Sequence, residues 1–238
     1  LYGHLMVCST FNGMKKRNLR PFVLTRSFFG GTQRFAWHWS GDNTANYTHL
    51  GLSLDLVMVA GLCGLSYSGS DIGGYFNEVS DVLLARWYQA SMLTQPFFRE
   101  HNRLNNSFRE PYLYFNKNPT IFKSILNSIN DRYRSIAFWY TAAYHNSISG
   151  IPISRPLFNL EEFDNNHNHV LVDGKLLSVP VIEEDKFDVM VLKPPGRWFH
   201  WKLGKELLTS GWFNAPIDEP AAFLRGGTIT PFFDKPKM

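Results

Sequence analysis

The sequence predicts an α/β chain in two parts: a parallel sheet with helical crossovers through about the first 150 residues, then an antiparallel β domain. Three observations predict it. Short apolar runs alternate with helix-period segments as far as Gly150. Arg26, Asp42, Asp71 and His101 each fall at or just beyond the C-terminal end of a different apolar run, and in a β/α barrel that rim is where chemistry is built. After Gly150 the helical period is lost, and Gly and Pro punctuate closely spaced strand-like runs.

Taken in order, Leu1 to Thr10 reads as the end of a helix closed by the turn signal Asn12-Gly13. Arg20 to Ser27, bounded by Pro21 and Gly30-Gly31, reads as a buried strand. Phe35 to Trp39 is the second strand and ends at Gly41-Asp42-Asn43. Thr48 to Gly61 is a helix, Leu62 to Gly69 a third strand and Asp81 to Leu93 a helix with Asp81 near its start. Pro96 to Glu100 is a fourth short strand. Asn118 to Ser147 is one long helix, capped by Asn118 with Pro119 in the first position. Four parallel strands make half a barrel. The runs IPISRPLF, HVLVDGKLLSVPVI, FDVMVLKPPGRWF and FLRGGTITPFF supply the β domain.

Composition narrows the function. Charged residues are 18% of the 238 and the formal charge is +4, with no basic block beyond Lys15-Lys16-Arg17, so nucleic-acid binding has no support. No apolar stretch is long enough to span a bilayer. Cys8 and Cys63 form neither a disulfide framework nor a metal-ligand spacing. The two His of Asn165 to His169 have no acidic or Cys partner at ligand distance, so neither a metal nor a cofactor is expected. Aromatic residues reach 16%, a surplus that suits a large core or flat rings stacking on sugars. The chain opens on LYGHLMV without an initiator Met, running straight into helix-like sequence, and a fragment is expected.

WHWSGDN, Trp37 to Asn43, places one carboxylate among aromatics and turn formers. On these seven residues alone a turn is the simpler reading, because Gly, Asp and Asn all favour turns. Arg26 equally fits a structural ion pair, His101 a solvated loop, Asp71 a cap and Trp39 a core position.

The ordered motifs change that balance. RPFVLTRSFFGGTQRFAWHWSGDNTA (Arg20 to Ala45), GLSYSGSDIGGY (Gly64 to Tyr75), RWYQASMLTQPFFREHN (Arg86 to Asn102), GIPISRPLF (Gly150 to Phe158) and FLRGGTITP (Phe223 to Pro231) resemble, in the same order, motifs of glycoside hydrolase family 31, the retaining α-glucosidases. The resemblance covers nearly the whole chain. It implies the C-terminal half of a TIM (β/α)8 barrel over residues 1–149 and a proximal C-terminal β-sandwich domain over residues 150–238.

The resemblance also implies roles. Asp42 matches the general acid/base; Arg26, Trp39, Asp71, Arg99 and His101 match residues around the terminal-glucose pocket, and Tyr75 falls at an aromatic position beside it. A general acid must hold its proton until the glycosidic bond breaks, and an apolar wall with an anionic neighbour favours that. Phe35, Trp37 and Trp39 are expected to supply the wall. The family nucleophile lies in a Trp-Asn-Asp-Met-Asn-Glu type motif that does not occur here, so the segment alone is expected to be inactive and aggregation-prone.

Gly31 to Arg34, Arg109-Glu110-Pro111 and Phe138 to Thr141 resemble the branch of the family that trims glucose from glycans in the lumen of the endoplasmic reticulum. That branch implies an oligosaccharide or glycan substrate and a regulatory β subunit. A neutral α-glucosidase sister branch shares much of the pattern. Trp37-His38 adds bulk where the first branch has small residues. A catalytically inactive sugar-binding relative and a truncated product without activity are the competing readings. The sequons at Asn46 and Asn105 add possible glycan sites, the first too near the acid to be used.

Overall fold

The computed structural model describes residues 1–18, 20–157 and 168–236. Helix α1 (Tyr2–Lys16) leads into β1 (Leu24–Thr25), β2 (Trp37–Trp39), α2 (Tyr47–Leu62), β3 (Ser68–Gly69), β4 (Asp71–Ile72), α3 (Asp81–Thr94) and β5 (Arg99–Glu100). The short α4 (Tyr114–Lys117), α5 (Pro119–Arg134) and α6 (Ile136–Ser149) follow. Strands β1, β2 and β3 pair in parallel in that order, and β4 pairs in parallel with β5. Only Ser70 separates β3 from β4, and its N–H donates to Gln95 Oε1 at 3.0 Å. The Phe97 N–H donates to Ser68 O at 3.1 Å beside it, and the four expected strands run side by side as an open barrel segment.

Several elements differ from the sequence reading. Helix α1 runs through Asn12-Gly13 to Lys16, because Phe11 packs edge-on against Phe35 with centroids 5.4 Å apart, anchoring the turn that Gly13 weakens. Residues 62–65 end α2 and turn through Gly64 at φ +85°, so the third strand is far shorter than its apolar run. The long helix divides at Ser135, whose N–H reaches both Asp131 O and Arg132 O while its hydroxyl donates to Arg132 O. The Asn118 cap is present, its Oδ1 accepting from the Ile121 N–H at 3.4 Å.

The second part contains β6 (Ser154–Arg155), β7 (Val170–Val172), β8 (Leu176–Ser178), β9 (Asp188–Val191), β10 (Trp198–His200), β11 (Glu206–Leu207), β12 (Gly211–Asn214) and β13 (Ala222–Arg225). One antiparallel sheet has the order β11-β10-β13-β8-β7-β6, and β12 pairs antiparallel with β9. Phe158, in the fourth motif, and Asn165 to His167 lie outside the described residues. Asn168 and His169 are buried, and His169 Nε2 accepts the Leu192 N–H at 2.9 Å.

The two parts share a core. Leu50, Leu54, Trp87, Met92 and Phe138 form one apolar cluster with Val170, Val172, Leu176 and Ala222 of the sheet. A second cluster, including Leu177, Val191, Trp198 and Phe223, lies within the β domain. Polar clamps close the seam. Arg86 on α3, almost fully buried, donates to the carbonyls of Lys186, Ala215 and Pro216 at 3.0, 2.9 and 3.2 Å. Gln89 and Ser124 both donate to Ile217 O. Among the described residues no helix is long and apolar enough to cross a membrane.

Candidate active site

Parallel pairing puts the C-terminal ends of β1, β2, β4 and β5 on one rim, and the predicted side chains sit there. Arg26 follows β1, and Trp39 ends β2 three residues before Asp42. Asp71 opens β4 in register with Arg99 on β5. Tyr75 and His101 lie on the loops beyond these two strands. Gly41 makes the corner after β2 with φ +79°, and a Cβ there would stand 2.2 Å from Arg26 Nε. The turn and the acid are therefore one object: the left-handed glycine lets the Arg26 guanidinium lie across the turn and face Asp42, Nη1 to Oδ1 at 3.7 Å. Both side chains keep solvent access, at 58% and 34% exposure.

Asp71 is the opposite case, fully enclosed. Arg99 Nη2 donates to its Oδ1. The Arg99 guanidinium also lies 5.5 Å from the ring centroids of both Trp39 and Phe97. Burial pushes the Asp71 carboxyl above the ordinary carboxylate range; Arg99 and, after it, His101 pull it back, while the charge of Asp42 pushes it further up. The rings of Tyr75 and His101 stack with centroids 5.3 Å apart and planes 23° apart.

Asn43 connects these groups. Its Nδ2 donates to Asp71 O at 2.9 Å and its Oδ1 accepts the Tyr75 N–H at 3.0 Å. Behind Asp42, toward α2, lies a cavity of about 220 Å³ lined by Ser40, Asn43, His49, Ser53 and Ser70. All seven residues named from the sequence thus reach one rim.

The expected aromatic wall is only partly formed. Phe35 closes a 3-10 turn rather than continuing the strand, and its ring packs on His4 and Phe11 of α1. Trp37 packs against Phe22, Tyr67 and Phe97. Trp39 alone of the three meets another rim residue, Arg99.

Two contributors carried no role in the sequence reading. Asn43 was legible only as a turn former. Arg109 lay in a motif with no function attached, yet its buried guanidinium holds the loops that carry Tyr75 and His101. Apart from that motif, nothing in the sequence separates Arg109 from the exposed arginines. Among the described residues no group of three or more His, Cys, Asp or Glu is placed to hold a metal ion.

Residues 1–142 match the family model "Glycosyl hydrolases family 31 TIM-barrel domain", and residues 150–230 match "Glycosyl hydrolase family 31 C-terminal domain". The chain is 36% identical to human neutral alpha-glucosidase AB, an alignment covering 97% of this chain and 25% of that protein. A crystal structure of glucosidase II alpha subunit in a Glc1Man2-bound form superposes with TM-score 0.83 at 30% identity, covering 94% of this chain and 25% of the other. An ER glucosidase II heterodimeric complex of catalytic subunit and the binding domain of the regulatory subunit superposes with TM-score 0.80 at 33% identity, covering 92% and 24%. The chain spans about a quarter of the length of the curated relatives it matches. Barrel strands and β domain agree with these matches, and the chain belongs to glycoside hydrolase family 31.

Proposed function

We propose that the protein is a retaining exo-α-glucosidase that removes terminal α-linked glucose from glycans, and that these 238 residues carry its acid/base, Asp42, and much of its glucose pocket. The observation that carries this reading is the pairing of two carboxylates in contrasting settings on one rim: Asp42 open to solvent, Asp71 enclosed against Arg99. A glycosidic oxygen leaves slowly as an alkoxide, so a carboxyl must protonate it as the bond breaks. Asp42 is accessible to a leaving group. Asp71 accepts sugar hydroxyls, His101 donates to them, and Arg26 orients Asp42. The Tyr75–His101 stack borders the ring.

A retaining mechanism needs a second carboxylate roughly 5–5.5 Å from the first. We assign it to a barrel strand outside these residues, in keeping with a chain that spans 25% of its relatives' length. The same reading extends to trimming of N-glycans in the endoplasmic-reticulum lumen beside a regulatory β subunit, supported by the likeness to the glucosidase II catalytic subunit and its heterodimer. We place the boundary between barrel and β domain at residues 149/150.

The test compares hydrolysis of an α-glucoside with a poor leaving group by the full-length protein, its Asp42→Asn variant and the 238-residue segment. Turnover by the wild-type full-length protein alone supports the reading. An Asp42→Asn variant with full activity, or turnover by the segment alone, overturns the corresponding part. A full-length wild type that binds glucose without turnover establishes a sugar-binding relative instead.

A further inference from the structure

We infer that Arg109 is a positioning residue that sets the Tyr75–His101 ring pair, and with it the grip on the terminal sugar. The inference rests on the glucosidase reading above for the identity of that sugar. Arg109 lies on the connection between β5 and α4, outside the rim, and is 4% exposed. Its guanidinium engages two loops at once. Nη1 donates to Gly73 O at 2.9 Å; Nη2 faces Ile72 O at 3.1 Å, Gly74 O at 2.7 Å and His101 O at 2.6 Å. Nε donates to Glu100 Oε1 at 2.6 Å. One planar fork therefore serves four main-chain carbonyls, three before Tyr75 and one belonging to His101.

The turn before Tyr75 has no slack on its other side. Gly73 and Gly74 have φ of +84° and +80°, and a Cβ on Gly74 would stand 2.4 Å from the Ala45 backbone N. A Cβ on Gly73 would stand 3.0 Å from the Arg109 guanidinium carbon. The turn is pressed between Arg109 and the loop that follows Asp42. The rings stack 5.3 Å apart at the end of this arrangement.

The guanidinium itself is consumed by these contacts, so its influence passes through the loops. Charge pairing with Glu100 answers its burial, and a buried ion pair is commonly replaceable by apolar packing without loss of stability. Holding several carbonyls in one geometry is what an apolar residue cannot do, and a lysine, with three donors on a point charge, does only in part.

The experiment uses the full-length protein with Arg109→Lys and Arg109→Ala. It reads steady-state hydrolysis of an aryl α-glucoside, equilibrium binding of D-glucose, and recovery on adding guanidinium chloride at millimolar concentration. A cavity of about 140 Å³ lined by Arg109, Asn102 and Phe108 gives the free cation access. Both variants are expected to lose roughly 100-fold in kcat/KM, the scale of a misplacement of about 1 Å, with the loss mainly in KM and matched by weaker glucose binding. The pH limb of the acid/base is expected to stay in place, and guanidinium to restore Arg109→Ala but not Arg109→Lys.

Wild-type-like glucose binding in either folded variant overturns the inference. If Arg109→Ala does not fold, Arg109→Lys decides; if neither folds, Arg109 is a structural residue and the inference fails. A wild type that binds glucose without turnover refutes the glucosidase reading, while the binding comparison still tests Arg109. A wild type that does neither refutes both.

Discussion

The Arg99 guanidinium closes on one carboxylate oxygen of Asp71 and leaves the other, Oδ2, buried without a hydrogen-bond partner. The free oxygen is the acceptor we assign to a sugar hydroxyl. Replacing Asp71 by Asn is expected to lower kcat/KM by about 1.5–3 kcal/mol, roughly tenfold to over 100-fold, the range for a hydrogen bond to a charged group.

The same carboxyl fixes a pH dependence of stability. Burial raises its folded-state pKa above the ordinary carboxylate value, so the folded state holds more protons than the unfolded one across that interval. Stability contributed by protonated Asp71 is present below the unfolded value and is lost as pH rises through the folded one. Thermal midpoints of wild type and Asp71→Asn, taken from about pH 4 toward neutrality, are expected to shift in favour of the variant as pH rises. A constant difference refutes the assignment.

Gly41→Ala separates strain from function. At φ +79° a side chain costs about 1 kcal/mol or somewhat more, a small stability loss in denaturant titration. The new methyl occupies the place of the Arg26 guanidinium, which is flexible and moves away from Asp42. Turnover is expected to fall far more than stability. Equal small losses in both show that Arg26 does not orient the acid.

His38 and His200 are buried imidazoles whose pKa values burial pushes below the ordinary histidine value of 6.5. Each binds fewer protons folded than unfolded, so stability is lost as pH falls below about 6.5. The double variant His38→Gln/His200→Gln is expected to show a flatter decline of thermal midpoint on acidification. An unchanged slope assigns the acid sensitivity to other groups.

Arg86 ties α3 to the β domain, and burial lowers its pKa to about 10. Arg86→Met removes the buried charge but strands the carbonyls of Lys186, Ala215 and Pro216. We expect a loss of about 3–5 kcal/mol in chemical denaturation and faster proteolysis within residues 183–217. Wild-type stability in this variant shows that solvent satisfies those carbonyls.

Much of this architecture was legible in the chain because its signals are local. Asn118-Pro119 marks a helix start, and the apolar runs ending in Arg26, Asp42 and Asp71 mark strands feeding one rim. What was not legible depends on partners distant in sequence. Helix α1 passes its glycine because Phe11 finds Phe35. The third strand shortens because Leu62 to Leu65 are spent ending α2, a choice that an apolar run of that length leaves open. The aromatic wall is only partly formed because Phe35, read as the start of the second strand, closes a 3-10 turn instead. Arg109 was missed because its meaning lies in carbonyls about 35 residues earlier, which no local pattern announces.

The apolar cluster that runs from Leu50 and Trp87 into Val170, Leu176 and Ala222 bears on how such proteins change over time. Helices α2 and α3, which follow the strands bearing Asp42 and Asp71, use the sheet as part of their own interior. The two parts are therefore poor units of exchange: a barrel recombined with a foreign β domain would inherit a mismatched seam within its own core. Substitutions on either side of that seam are expected to be tolerated chiefly in compensating pairs, so the rim and the sheet behind it diversify together.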